Sequence, residues 1–215
     1  MASFWTWAVA AIVYAVFLGW HRNWRGRLSS EEIESVLATL QAQGAGDNGR
    51  NALATMRAFL EADDGRPFHM LNVVRLSPDP VTDPAGRQAP AREVMAGYTK
   101  MFLPALLARG GYPAFAARKV GGYFDTWGVD PGPDWSFIAL MRYRSRRDLA
   151  RLVCDPRFAG AHEFKFAAMP QTFNFPTQRL GGLMAQLPFW VGLVLGLAAA
   201  VGQIAWLLAS MGSGA

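Results

Sequence analysis

Every charged side chain of this chain lies between Trp20 and Leu180. All 21 Lys and Arg and all 16 Asp and Glu fall there, and both ends are uncharged. Residues 180–211 read LGGLMAQLPFWVGLVLGLAAAVGQIAWLLASM. A helix needs about 20 apolar residues to cross a bilayer core, so this stretch is long enough even if Pro188 delays or kinks it. Residues 4–20 form a shorter run of about 17, near the lower limit for a span. A signal peptide calls for a basic leader and a small-residue cleavage site. No Lys or Arg precedes this run, and Trp20, His21 and Arg22 follow it. Residues 1–21 and 180–211 are therefore expected to be two transmembrane helices.

Basic residues collect on the cytoplasmic flanks of spans. Arg22, Arg25 and Arg27 follow the first span and Arg179 precedes the second. Both flanks predict a two-pass protein of the inner (cytoplasmic) membrane, with both termini outside and the central domain in the cytoplasm. Trp5, Trp7, Trp20 and Trp24 bracket the first span, and Trp190 and Trp206 the second, about 24 Å apart at helical rise. Indoles at both interfaces form the expected belt in contact with lipid. The alternative is that these rings touch a pigment, a quinone, a haem or a neighbouring helix. Gly192 and Gly196 have the small-xxx-small spacing that lets helix backbones approach closely, which points to a helix partner.

The net charge of +5 belongs to the middle of the chain. No stripe of Lys and Arg with interleaved aromatics accompanies it, so no nucleic-acid partner is expected. Cys154 is the only cysteine, which rules out a disulfide within the chain. About 160 residues separate the spans, enough for one domain with its own core.

Residues 22–65 read as a cytoplasmic helical hairpin. Ser29 and Glu32 make a capping box, and Ile33, Val36, Leu37 and Leu40 recur at helical spacing. Residues 44–49 break the pattern, and a second helix is expected over 51–62. Residues 68–76 read as a strand, 77–90 as a long loop with four prolines, and 92–109 as a helix stopped by Gly110 and Gly111. Strands are expected over 114–124 and 134–143. In the latter, Phe137, Ala139, Met141 and Tyr143 alternate with Ile138, Leu140 and Arg142. Helices over 145–153 and 157–169 follow, and a last strand over 171–175. Residues 66–178 thus read as an α+β domain in βαββαβ order, the ferredoxin-like pattern.

Several stretches resemble the dimeric α/β-barrel superfamily, and its DUF1330-like branch in particular. They are FHMLNVVRL, Tyr98 with the helix running to Arg109-Gly110-Gly111, Trp135 with SFIALMRYRSRRDL, and Cys154-Asp155-Pro156-Arg157-Phe158 with His162. The resemblance covers residues 68–175. It implies pairing of two chains through the open face of the sheet, a homodimer. Relatives of this kind include cofactor-independent monooxygenases and haem-degrading or haem-peroxidising enzymes.

His69, Arg75, Tyr98, Arg118, Arg142 and His162 are the polar residues expected to line a pocket. His69, Arg118 and His162 would carry any catalysis, with His162 as haem ligand or general base. Surface or satisfied side chains are the competing account of each. Arg144, Arg146, Arg147 and Arg151, with Lys165, read as a basic face for anionic lipid or an acidic partner. No metal-ligand spacing and no phosphate-loop, zincin or nucleophile-elbow motif is present, and no cofactor is expected. Two functions remain. One is a non-catalytic accessory or scaffolding subunit of a larger membrane complex, photosynthetic or respiratory. The other is a membrane-tethered, metal-independent enzyme acting on an apolar quinol, haem or aromatic.

Overall fold

The computed structural model describes residues 2–44, 53–129, 132, 134–181 and 186–212. The chain divides into two compact units, Arg25–Gln178 and the pair Met1–Trp24 with Arg179–Ala215. The expected break at 44–49, the start of the helix predicted over 51–62, and residues 182–185 of the second apolar stretch lie outside the described residues.

Helix α1 (Ala2–His21) is apolar on all sides. In the larger unit, α2 (Ser30–Ala42) begins with the expected capping box. The Ser29 hydroxyl accepts from the Glu32 N–H, and the Glu32 carboxylate accepts from the Ser29 N–H. Helix α3 (Leu53–Glu61) buries Leu60 against Ile33 and Leu37. Strand β1 (Phe68–Arg75) opens the sheet. The segment expected to be a plain loop holds a small hairpin, β2 (Val81–Thr82) and β3 (Gln88–Ala89). Its turn is built on Asp83, whose carboxylate accepts from the N–H groups of Ala85 and Arg87. An Asp that bonds its own turn is a local signal, and the proline count obscured it.

Helix α4 (Ala91–Ala108) contains Pro104 without ending there. Gly110 and Gly111 then reverse the chain, each for its own reason. Gly110 has φ +74°, which favours a residue without Cβ. A Cβ on Gly111 would stand 2.4 Å from Leu106 Cδ1 and 2.7 Å from the Arg142 carbonyl. Strand β4 (Tyr112–Arg118) starts and stops earlier than predicted, and β5 (Phe137–Tyr143) starts later. Helix α5 (Arg146–Val153) is capped by Ser145. The single helix expected over 157–169 is two pieces, α6 (Pro156–Ala159), capped by Asp155, and α7 (Ala161–Ala168). Strand β6 (Gln171–Thr177) and helix α8 (Leu187–Gly212) complete the chain.

The sheet is antiparallel in the order β4-β5-β1-β6. One face carries Phe68, Met70, Val74, Phe137, Met141 and Tyr143 into the core formed with α4, α5, α6 and α7. The other face carries Leu71, Val73, Ile138, Leu140, Phe173 and Phe175. Helices α2 and α3 join the same unit through Ala150 on α5 and through the Arg147 guanidinium, which holds both Glu32 carboxylate oxygens at 2.8 Å.

Helices α1 and α8 pack antiparallel. Trp7 Nε1 donates to Gln203 Oε1 at 2.5 Å, and Tyr14 donates to the Pro188 carbonyl at 3.2 Å. Phe4–His21 and Leu187–Met211 are both long and apolar enough to cross a membrane.

Replacing Gly111 with Ala should cost about 2 kcal/mol or more, since the new methyl meets backbone as well as a side chain; denaturant unfolding of the full chain measures it. The Arg147 hydrogen bond, with that of the Ser29 N–H, holds the Glu32 carboxyl down to about 2, from an ordinary 4.5. A depressed acid stabilises fully above its unfolded value and loses that contribution as pH falls from 4.5 toward 2. Unfolding followed across that window should be less pH-dependent in Glu32→Gln than in the wild type.

Candidate functional site

Between the sheet and the helices lies a cavity of about 360 Å³. Its floor comes from the inward positions of β1 and β5, Met70, Asn72, Val74, Phe137, Ala139 and Met141. Its roof comes from Met95, Tyr98, Thr99, Phe102 and Leu103 on α4, and from Phe158, His162 and Lys165 on α6 and α7. The exposed lining residues Thr99, Pro113, Ala116 and Asn174 lie at its rim. The size sits at the low end for small-molecule pockets, which run about 300–1,000 Å³ and are mostly apolar with a few placed polar groups.

The break at Gly160 aims α7 into this space. Asp155 caps α6 through the Arg157 N–H and is held by Arg109 at the end of α4, at 2.7 Å. Arg157 and Arg109 together keep the Asp155 carboxyl well below its usual range. Further along, a Cβ on Gly97 would be 2.6 Å from the Phe164 ring, so α4 and α7 touch there with no side chain between. These two fixed contacts set the pitch of α7, whose His162 and Lys165 follow at i and i+3.

The polar groups of the lining are perturbed by burial. Tyr98 stacks on Phe102 at 5.2 Å and its phenol is pushed up by desolvation. Tyr143, stacked on Phe68 at 5.2 Å, is pushed up by desolvation and secondarily by Tyr98. The Lys165 amine is pushed down by desolvation, and its Nζ lies 5.9 Å from the Tyr98 ring centre. His162 stands edge-on to Phe158 at 4.9 Å and stacks with Phe166 at 5.8 Å.

Of the six residues expected in a pocket, Tyr98 and His162 line this cavity. The other four lie elsewhere. Arg118 is exposed at the end of β4, and Arg75 bonds Gln171 Oε1 at 2.9 Å. His69 is buried on the opposite sheet face, across from Arg142 and Thr177. Arg142 is buried there too. It donates to the Gly110 carbonyl at 2.8 Å and lies over the Tyr112 ring, so it braces the Gly110-Gly111 turn and meets neither water nor head groups.

The expected basic face is not assembled. Arg144 pairs with Asp148, Arg146 with Asp63, and Arg147 with Glu32. Lys165 lines the cavity. Asn72 and Asn174, which face each other across β1 and β6, also line it and were missed. Their inward positions could have been read from the alternation of the strands. A second omission is the connection between β4 and β5, where Val120, Phe124 and Trp127 are at least 85% exposed. Cys154 is half-buried, its thiol pushed up by desolvation, which is the inert kind. Among the described residues no group of His, Cys, Asp and Glu could hold a metal.

On the helix pair, the tryptophans Trp5, Trp7, Trp24, Trp190 and Trp206 are exposed, as are Arg22, Arg25, Arg27 and Arg179. Gly192 meets Tyr14 within the chain, and Gly202 meets Thr6, while the space beside Gly196 is open. The close helix approach is therefore partly used by α1 itself.

No family model matches the chain, and no curated protein does. Two solved structures are similar. One is a crystal structure of methylated RPA0582 protein, 26% identical, which covers 60% of this chain and 90% of its own length with a TM-score of 0.48. The other is RPA0582, described as a protein of unknown function from Rhodopseudomonas palustris, 23% identical, with 60% and 92% coverage and the same TM-score.

An ammonium kept in an apolar wall opposes folding. Its amine has a lowered folded value, so the penalty is full below that value and disappears as pH rises from it toward the unfolded 10.5. Lys165→Met, close in volume, should raise the ligand-free stability by about 1 kcal/mol at neutral pH, with the gain shrinking as pH rises; thermal unfolding across pH values checks both.

Proposed function

We propose that this protein is a membrane-anchored binding protein for a small, largely apolar molecule, held between the sheet and the helices of its central domain. The observation that carries this reading is the cavity, where an apolar lining meets Tyr98, His162, Lys165 and two asparagines. A tightly packed domain leaves few voids larger than a water molecule, so space of this size is a feature to be used. The domain is a ferredoxin-like half of a two-chain barrel in this reading. The strand order supports that, and so does the open face, where Phe115, Phe173 and Phe175 are each about half exposed. A second copy laid on this face would cover them. The arginines beside the two helices favour a cytoplasmic domain, with α1 and α8 crossing the inner membrane together.

Turnover of the bound molecule, as in the metal-independent enzymes of the resembled superfamily, is one extension. His162 on the cavity wall is the group that favours it. A role as accessory subunit of a larger membrane assembly is the other, and the exposed Phe124 and Trp127 favour that. Native mass spectrometry after gentle extraction separates these. A dimer that releases a small apolar molecule on activation is the expected result. A chain that carries no such molecule, and whose melting temperature no apolar compound from its own membrane raises, overturns the binding reading. Stoichiometric co-extraction of a second polypeptide marks the accessory role.

A further inference from the structure

The charge inside the cavity is unbalanced. Lys165 lines it, and among the described residues no Asp or Glu does. Three arginines at the start of α5 and just before it each have an acidic partner, Arg144 with Asp148, Arg146 with Asp63 and Arg147 with Glu32. Lys165 faces a tyrosine ring at 5.9 Å in the place where those have a carboxylate. In a poorly solvated site, opposite charges attract far more strongly than in water, and a buried cation is tolerated when something pairs with it. The missing partner is therefore a property of the ligand. We propose that the cavity selects an apolar monoanion, a carboxylate on a hydrocarbon or aromatic body, with its head group on Lys165. The body lies against Met70, Met141, Phe102 and Phe158. One ammonium, with no Arg or second Lys in the lining among the described residues, suits one negative charge and disfavours a phosphate or a dicarboxylate. This inference rests on the binding role proposed above and names its ligand class.

The test uses the full chain in zwitterionic lipid nanodiscs, with empty nanodiscs as blank. Titration calorimetry compares 2-naphthoate with 2-naphthamide, and octanoate with octanamide, so that body and charge vary separately. The carboxylate of each pair should bind about 10-fold or more tighter than its amide. Lys165→Met should abolish that preference, and Lys165→Arg should retain part of it. Equal binding of acid and amide, or a preference that survives in Lys165→Met, overturns the Lys165 anchor and leaves the cavity as a binding site. If none of the four compounds binds the wild type, the anchor and the binding role fall together.

Discussion

Strand β1 fixes both faces of this domain at once. It is bonded along seven residues to β5 on one edge and along seven to β6 on the other. Its alternation sends Phe68, Met70, Asn72 and Val74 inward, and His69, Leu71, Val73 and Arg75 outward. A slip of one residue would exchange these sets and turn a histidine and an arginine toward the helices. The core, the cavity floor and the open sheet face are three consequences of that one register.

The two faces then diverge. On the inner face the residues are large at the ends of the strands and small in the middle, with Ala139 and Asn72 between Phe68, Tyr143 and Phe137. The helices rest on the large residues and leave the middle empty. On the outer face an antiparallel sheet is free to be polar, yet β6 carries Phe173 and Phe175 there, stacked at 6.2 Å, and Trp135 stands edge-on to Phe173. Apolar side chains lined up on an uncovered face mark an interaction surface. In the proposed reading the space inside takes a small molecule and the face outside takes a second copy of the chain.

Much of this was legible because it is periodic or local. The alternation of residues 137–143, the Ser29 and Ser145 caps and the Gly110-Gly111 stop all depend on neighbours within a few positions. Charge pairing was not legible. Arg147 meets Glu32 from 115 positions away, so a run that reads as a basic face dissolves into separate ion pairs once the chain folds. Two boundaries failed for physical reasons as well. The chain breaks at Gly160 between α6 and α7, where hydrophobic spacing alone suggested one helix. Strand β4 ends where its pairing with β5 ends, at Arg118 opposite Phe137, while the apolar residues beyond it continue to look like strand. Tyr98 and His162 both lie in the stretches that carry the family resemblance, and both line the cavity. Lys165 escaped because a lone lysine on a helix, grouped with the arginines before it, reads first as surface.

The rim of the cavity explains why the fold can keep it. A sealed, dry void costs about 24 cal/mol for each Å³ left empty, which at 360 Å³ would take a large part of a domain's usual 5–15 kcal/mol. An open rim with Asn174 and Thr99, and an interior with Lys165, His162 and Asn72, let water occupy the space instead. Water beside Met70, Met141 and Phe102 is poorly satisfied, because those walls offer it no hydrogen bonds. In the proposed reading, a ligand with an apolar body would release that water, and its anionic head would replace the water beside the Lys165 ammonium. The same arrangement that makes the domain less stable than one with a filled core would then supply both parts of the binding energy. Lys165 and His162 stand on α7, the element whose pitch is fixed by the Gly97 contact and the Arg109–Asp155 pair.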